Sequence, residues 1–196
     1  MPPTVIAVFG SSLCGPASHE YQAAYQLGAE IARAGWTLCN GGYGGVMEAS
    51  AKGAVESGGH TIGVTCAVFG RPGPNAFIRQ EVPTFDLHTR LDTLLRLASG
   101  YVVLPGGSGT LVELALAIEL IAKGLLERAA PIVLLGEYWR PVVDVLRAEQ
   151  PERLPVVTVP GAEAAVGVLR AGLAAPPQRR SPGPQRRCDG GSPPAR

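Results

Sequence analysis

The residues whose types and spacing most clearly indicate a chemical function lie between Pro105 and Glu113. Three glycines, a Ser and a Thr stand directly after the apolar run Tyr101–Val103 and before a long apolar helical pattern. A glycine-rich turn at the start of a helix lets several backbone N–H groups approach one anion, and the helix dipole adds positive potential there. Glu113 follows about one helical turn later. The pattern predicts a phosphate-binding turn beside a carboxylate, which favours chemistry on a phosphorylated small molecule.

Two further turns have the composition of ligand-binding loops. Gly10, Ser11 and Ser12 follow the first apolar run, although a turn of this kind can also simply start a helix. The other turn contains the glycines of positions 41, 42, 44 and 45, and it does not fit the dinucleotide fingerprint GxGxxG because Met47 occupies the third glycine position. Four glycines in five positions indicate that the backbone closely approaches another group.

Apolar runs and helical patterns alternate along the chain, and the runs are apolar throughout, which indicates strands buried on both faces of a parallel sheet. The repeated units predict an α/β fold, a Rossmann-like doubly wound parallel sheet with helices on both faces. Ligands of such folds bind outside the carboxyl ends of the strands, so we expect the three turns to face one crevice. The predicted strands are Thr4–Phe9, Trp36–Asn40, Thr61–Thr65, Tyr101–Leu104, Ile132–Leu135 and Val156–Val159. The predicted helices are Ser18–Ala34, Gly45–Ser57, Leu87–Ala98, Thr110–Leu126, Pro141–Ala148 and Ala162–Leu173.

Glu113 and Arg90 each allow two interpretations. Thr110 and Glu113 match a capping box, in which the Glu side chain only accepts a backbone N–H bond. The surrounding helix is apolar on nearly every face, however, and a carboxylate buried there is costly unless it has a function. Arg90 lies at the border of the apolar face of its helix and needs an anion, which is a ligand phosphate, Glu113 or a structural carboxylate such as Asp86.

Length and composition predict one folded domain followed by a tail. The chain has 196 residues, of which 46% are hydrophobic. We assign residues 1–175 to the domain and residues 176–196, rich in Pro, Gly, Ser and Arg, to a disordered tail. The tail carries five Arg against one Asp, so the domain has a net charge of about −3. An acidic domain argues against nucleic-acid binding, although the Arg-rich tail leaves a contact with an anion or RNA open.

Membrane, metal and secretion signals are weak in this sequence. The chain has no apolar run of membrane-spanning length and no basic start of a signal peptide. Its four cysteines form no CxxC pair and its three histidines are scattered, so neither a metal site nor a disulfide framework is expected. The prediction is a reduced, cytoplasmic protein.

The sequences of the three turns resemble motifs of the LOG family. This family comprises cytokinin riboside 5′-monophosphate phosphoribohydrolases and related nucleotide 5′-monophosphate nucleosidases, and its members are often labelled lysine decarboxylases. Residues 105–113 are similar to the family signature PGGxGTxxE, and residues 8–12 and 41–47 also match. Residues 86–90 are similar to the family's MHxRK segment, and the resemblance extends over about residues 5–170. Leu91 replaces the expected Lys and Glu48 replaces the usual Gly, which indicates a divergent branch.

The resemblance implies that Arg90 and Glu113 are catalytic and that the 105–110 turn binds phosphate. The implied reaction is hydrolysis of the N-glycosidic bond of an AMP-like nucleoside 5′-monophosphate, giving free base and ribose 5-phosphate without a metal or cofactor. A homodimer is also implied. The alternative is a carrier that binds a nucleotide or phosphorylated ligand without cleaving it. The predicted substrate-binding residues are Gly10, Ser11, Ser12, Gly42, Gly44, Gly45, Met47, Gly106, Gly107, Ser108, Gly109 and Thr110.

Lysine decarboxylation does not fit the sequence. A pyridoxal phosphate enzyme needs a Lys for its Schiff base. The chain contains only Lys52 and Lys123, and both fall on predicted helices rather than at a strand-end turn.

Overall fold

The computed structural model describes residues 3–126, 131–149 and 154–174. The predicted domain boundary at residue 175 and the predicted tail, residues 176–196, lie outside this part of the chain, so both stay predictions.

The described residues form a seven-stranded parallel sheet with the order β4-β3-β2-β1-β5-β6-β7. Every residue of β1, β2, β3, β5 and β6 is buried, as the continuous run of apolar or small residues in these strands predicts. The predicted α/β class with a doubly wound parallel sheet is therefore confirmed. The strands are β1 (Val5–Phe9), β2 (Thr37–Asn40), β3 (Thr61–Cys66), β4 (Gln80–Thr84), β5 (Gly100–Val103), β6 (Ile132–Leu135) and β7 (Val156–Val159).

Helices cover both faces of the sheet, and each face has its own core. On one face, side chains of α3, α4 and α5 pack on the sheet around residues such as Leu94, Leu114 and Val143. On the other face, α1, α2 and α6 pack around residues such as Leu27, Ala51 and Leu169. The helices are α1 (His19–Arg33), α2 (Val46–Glu56), α3 (Leu87–Leu97), α4 (Ser108–Ala122), α5 (Arg140–Glu149) and α6 (Ala162–Ala174).

The sequence pattern missed one strand and placed one helix end too late. β4 pairs in parallel with β3 at the edge of the sheet, and most of its residues are exposed or half-buried. An edge strand needs no continuous apolar run and tolerates Pro83, so it gave no strand signal. Helix α4 ends at Ala122 instead of Leu126, because Gly124 follows with φ of 69° in the left-handed region.

The strand order reverses between β1 and β5, and this reversal positions the three turns. β2, β1 and β5 are neighbours in the sheet, so the turns after them lie side by side at one edge. The crevice at such a reversal is where doubly wound folds bind ligands. The expectation that the three turns face one crevice is confirmed.

Helix α4 exposes apolar side chains that the chain's own sheet does not cover. Leu111 is 38% exposed and Val112 is 46% exposed, while the opposite side of the helix is buried. We expect part of this surface to contact a second copy of the chain. Light scattering at micromolar concentration should give twice the 20.3 kDa mass of one chain. Leu111→Glu should shift the protein toward the monomer, and a wild-type mass of one chain would contradict the prediction.

Candidate ligand-binding site

The three turns are joined to one another through main-chain hydrogen bonds. The N–H of Ser11 donates to the carbonyl of Pro105 at 3.0 Å, and the N–H of Val46 donates to the carbonyl of Ser11 at 2.8 Å. Ser11 therefore connects the turn after β5 with the turn after β2. The three turns form one continuous rim around a cavity of about 650 Å³, a volume typical of small-molecule sites.

The start of helix α4 forms one end of this cavity, and helix N-termini of this kind favour anions. Gly107 is the N-cap, and the first main-chain bond of the helix runs from the N–H of Leu111 to the carbonyl of Gly107. The N–H groups of the residues between them have no acceptor within the helix. Residues 107–110 line the cavity, and positions 107–109 are exposed to solvent. Helix α2 differs, because its first N–H, that of Val46, is already bonded to Ser11.

Glu113 is not the acid of a capping box. Thr110 lies inside the first turn of α4 and is not its N-cap, which is Gly107 and makes no side-chain capping bond. The Glu113 side chain faces Arg90, with 3.5 Å between Oε1 of Glu113 and Nη1 of Arg90. The capping interpretation is therefore wrong.

Arg90 and Glu113 form a buried but loose ion pair. Their residues are 6% and 9% exposed, so Arg90 is more buried than its position at the helix border predicted. Nε of Arg90 donates to the carbonyl of Val64 at 2.9 Å, which orients the guanidinium. Charge-assisted hydrogen bonds are typically about 2.7–2.9 Å long. At 3.5 Å the two groups are close enough to influence each other and retain capacity to bind a ligand.

Asp86, which the sequence offered as a salt-bridge partner of Arg90, instead caps helix α3. Its carboxylate caps α3 by accepting the N–H of Thr89 at 2.9 Å and the Thr89 hydroxyl at 2.8 Å. These bonds fix the start of the helix, one turn before Arg90. Among the anions considered from the sequence, Glu113 is the one that lies beside Arg90.

The close backbone approach predicted by the glycine turn is an approach to Arg90. A Cβ added to Gly41 would lie 1.8 Å from Nη2 of Arg90 and 2.8 Å from Sδ of Met47. Gly45, with φ of 65°, starts α2 directly against the Ser11 carbonyl, which is 2.3 Å from a hypothetical Cβ. The glycines at these two positions therefore make room for the pair and for the rim.

The predicted binding residues separate into two groups. Those that line the cavity with Arg90 and Glu113 are Gly10, Ser11, Ser12, Met47, Gly107, Ser108, Gly109 and Thr110. Gly42, Gly44, Gly45 and Gly106 are not on its wall and shape the turns behind it. A ligand contact at any of these positions stays a prediction.

Asn40 was missed by the sequence analysis, although it holds the glycine turn. It is fully buried, and its Oδ1 accepts the N–H of Gly42 at 2.8 Å. Its Nδ2 donates to the carbonyl of Met47 at 2.8 Å. The side chain thus bridges the end of β2 and the start of α2, and only the tertiary arrangement reveals this role.

The connection between β3 and β4 contributes residues that sequence reasoning also missed. Asn75 ties it to the glycine turn, because its N–H donates to the carbonyl of Gly42 at 2.7 Å and its Nδ2 to that of Tyr43 at 2.8 Å. Phe69 and Arg71 consequently line the cavity together with Tyr43. The segment between β3 and β4 is rich in proline and glycine and has no apolar periodicity, so its residue pattern did not indicate these contacts.

Burial brings the pKa of the Glu113 carboxyl close to neutral pH. Removal from water raises the pKa of this carboxyl to about 7, and the Arg90 guanidinium opposes part of that rise. A carboxyl with this pKa changes charge within the physiological range. Such perturbed groups in a cleft are typical of functional sites.

Neither a metal cluster nor a membrane span is found in the described residues. Among them, no three His, Cys, Asp or Glu side chains are grouped closely enough to hold a metal ion. Within the same ranges, no helix combines the length and apolar character needed to cross a bilayer.

Fold and site together define a Rossmann-like protein with a small-molecule crevice at its strand reversal. The chain belongs to the SLOG cluster4 family, whose model matches residues 3–153. It is 35% identical to an uncharacterized protein of Archaeoglobus fulgidus, over 67% of this chain and 83% of that protein.

Relatives with assigned names match at lower identity. A cytokinin riboside 5′-monophosphate phosphoribohydrolase of Rhodococcoides fascians is 26% identical over 86% of this chain and 90% of its own length. A pyrimidine/purine nucleotide 5′-monophosphate nucleosidase of Escherichia coli is 28% identical over 60% of this chain, which spans only 28% of that protein. The resemblance to the LOG family is confirmed.

The chain is also similar to a solved structure whose name describes a carrier protein. The molybdenum cofactor carrier protein of Chlamydomonas reinhardtii superposes with a TM-score of 0.73 at 28% identity. The match covers 88% of this chain and 99% of the carrier.

The contact between Gly41 and Arg90 predicts a specific sensitivity. Gly41→Ala should displace the guanidinium from Val64 or Glu113 and lower the free energy of unfolding by about 1–3 kcal/mol. Urea unfolding measures the loss. Gly167→Ala in α6 is the matched control, because nothing lies within 4 Å of its hypothetical Cβ and Ala favours a helix. Equal stability of Gly41→Ala and wild type would contradict this packing argument.

Proposed function

We propose that this protein hydrolyses the N-glycosidic bond of a nucleoside 5′-monophosphate, giving free base and ribose 5-phosphate. The observation that carries the proposal is the buried pair of Arg90 and Glu113 in the same cavity as the exposed start of α4. The helix start would bind the phosphate of the substrate, and the ionisable carboxyl in the same cavity would act on its sugar.

The 5′-phosphate binds at the start of α4 in this proposal. The N–H groups of residues 108–110 and the helix dipole favour a dianion there. This contact orients the ribose toward Glu113, five residues after the first helical residue. Binding energy from the phosphate thus positions the reacting carbon without taking part in bond cleavage.

Glu113 acts on the sugar. Departure of the base leaves positive charge shared by C1′ and the ring oxygen, and a nearby carboxylate stabilises that charge. Water adds its hydroxyl to C1′, the C1′–N bond breaks, and the base leaves with a proton. The Glu113 carboxylate orients this water, accepts its remaining proton and returns that proton through solvent to the departing base, so that one water is divided between ribose 5-phosphate and free base.

Arg90 positions both the Glu113 carboxylate and the ligand. Its bond to Val64 fixes the guanidinium beside Glu113, and its positive charge favours the ionised carboxylate over what burial alone would allow. The same guanidinium is within the cavity and can donate to ligand oxygens. None of these steps calls for a redox cofactor, and the ligand of the proposal is AMP-like.

The names of the relatives support this reaction at the level of the class. The match to the phosphoribohydrolase of Rhodococcoides fascians extends over nearly the whole of that protein, while the Escherichia coli nucleosidase is far longer than this chain. The homodimer and the cytoplasmic location belong to the same proposal.

A second candidate function is a carrier that holds a phosphorylated ligand without cleaving it. The likeness to the Chlamydomonas carrier favours it, and so does Leu91, which lines the cavity where the LOG pattern has a Lys. Incubation with AMP, GMP, CMP and UMP, followed by chromatography for free base, separates the two functions. Binding without base release identifies a carrier.

Glu113→Gln tests the catalytic proposal while keeping the size of the side chain. Base release should fall about a hundredfold or more, because the charge that stabilises the developing cation is lost. Nucleotide affinity should persist, because the start of α4 is unchanged. Glu119→Gln is the matched control, since Glu119 lies on the same helix, exposed and paired with Lys123. Cleavage by Glu113→Gln at the wild-type rate would end this assignment.

Arg90→Ala should behave differently from Glu113→Gln. It should weaken nucleotide binding as well as slow base release, because Arg90 both contacts the ligand and orients Glu113. An Arg90→Ala protein with unchanged AMP affinity would limit Arg90 to orienting the carboxyl.

The pKa of Glu113 predicts the pH dependence of cleavage. If the carboxylate is the active form, kcat/KM should rise with pH up to about 7 and then level off. Glu113→Gln should lose this limb and keep only that of the substrate phosphate, whose second pKa is about 6. Rates of both proteins measured from pH 5 to 9 provide the test. Identical profiles would show that another group titrates.

A further inference from the structure

The mouth of the cavity carries aromatic and cationic side chains that the proposed reaction does not use. We propose that Phe69 and Arg71 bind a planar heteroaromatic ring of the ligand, at the opposite end of the cavity from the phosphate. This inference rests on the proposed function for the position of the phosphate and adds the residues that select the base.

The sheet order sets the distance between the two ends. Phe69 follows β3 in a short 3-10 turn, Ala67–Phe69, and the start of α4 follows β5. Three inter-strand spacings separate β3 from β5, which is about 14 Å. A ligand in contact with both ends must be extended, with its phosphate at one end and another group at the other.

Tyr43 gives this end of the cavity a rigid wall. Its hydroxyl accepts the N–H of Cys66 at 2.8 Å and donates to the Cys66 carbonyl at 3.3 Å. The Tyr43 ring lies 6.0 Å from the ring of Phe69, and the two planes are tilted by 57°. Phe69 remains 42% exposed, so it presents apolar ring surface to the cavity. Stacking of a flat ring would cover that surface.

Arg71 adds a cation beside these rings. Its Cζ lies 4.7 Å from the centre of the Tyr43 ring, within the distance of a cation–π contact, and the residue is exposed. A guanidinium stacks on aromatic faces and also donates hydrogen bonds in its plane. Heteroaromatic bases offer both a π face and acceptor atoms at the edge. Arg90 is buried against Val64 and Glu113, and its Cζ lies 5.5 Å from the centre of the Phe69 ring, so Phe69 stands between the buried pair and the exposed Arg71.

The connection that carries Phe69 and Arg71 is fixed before a ligand arrives. The two Asn75 bonds join it to the glycine turn, and Gly70 and Gly73 adopt φ of 60° and 112° to allow its course. Preorganised groups lose little conformational entropy on binding. The subsite is therefore expected to contribute to affinity and to selection of the base.

The experiment compares a ligand that has the ring with one that lacks it. Calorimetry on the full chain, in the Glu113→Gln background to prevent turnover, measures the Kd of AMP and of ribose 5-phosphate. Phe69→Ala should raise the Kd of AMP about tenfold, in line with base-stacking effects, and Arg71→Ala should raise it several-fold. Neither should change the Kd of ribose 5-phosphate by more than about twofold, since the phosphate contacts are untouched.

Matched controls come from neighbouring exposed residues. Phe85→Ala and Arg79→Ala remove the same side-chain types outside the cavity wall and should leave both Kd values unchanged. Equal losses for AMP and ribose 5-phosphate in Phe69→Ala would overturn the proposal, as would wild-type affinity for AMP in both variants. A wild-type preference for ADP over AMP that Arg71→Ala abolishes would overturn the ring assignment of Arg71 in favour of a second phosphate.

The outcomes remain separable from the fate of the proposed function. AMP that binds through Phe69 but is not cleaved by the wild-type protein would support the subsite and end the hydrolase proposal. Cleavage of AMP by the wild-type protein, with no effect of Phe69→Ala or Arg71→Ala on AMP affinity, would support the hydrolase proposal and end the proposed subsite.

Discussion

The structure of the crevice depends on keeping one arginine and one glutamate out of water and close together. Arg90 comes from α3 and Glu113 from α4, so their contact ties two helices to the same edge of the sheet. Burial raises the free energy of both charges, and the pair is tolerable because Val64 and the neighbouring charge compensate part of that cost. The space for the guanidinium exists only because residue 41 has no side chain. The start of α4, the glycine turn and helix α3 thus have to be arranged around this one contact.

The pair also limits what the crevice can do. A carboxyl with a pKa of about 7 can accept or release a proton near neutral pH, whereas a surface glutamate remains ionised there. At 3.5 Å the guanidinium supports the carboxylate without saturating it. In the proposed reaction these properties suit a group that responds to charge developing on the sugar, and they would be of little use to a purely structural salt bridge.

Sequence reasoning located the parts of the molecule that are coded locally. Apolar runs and glycine turns identified six of the seven strands in the described residues, and the 105–113 segment identified the start of α4. It could not choose between capping and catalysis for Glu113, because that choice depends on where Arg90 points. β4 was missed because an edge strand buries few side chains. Asn40 was missed because its type alone does not show that it bonds Gly42 and Met47 within the same turn. Phe69 and Arg71 were missed because their contact with Tyr43 joins segments far apart in sequence.

The bonds that join the three turns of the rim to one another run between main-chain atoms. Ser11 joins the other two turns through its N–H and its carbonyl, and neither bond uses its hydroxyl. The side chain at position 11 can consequently change while both bonds persist, as long as the residue keeps its N–H. Ligand choice can then change on a constant frame.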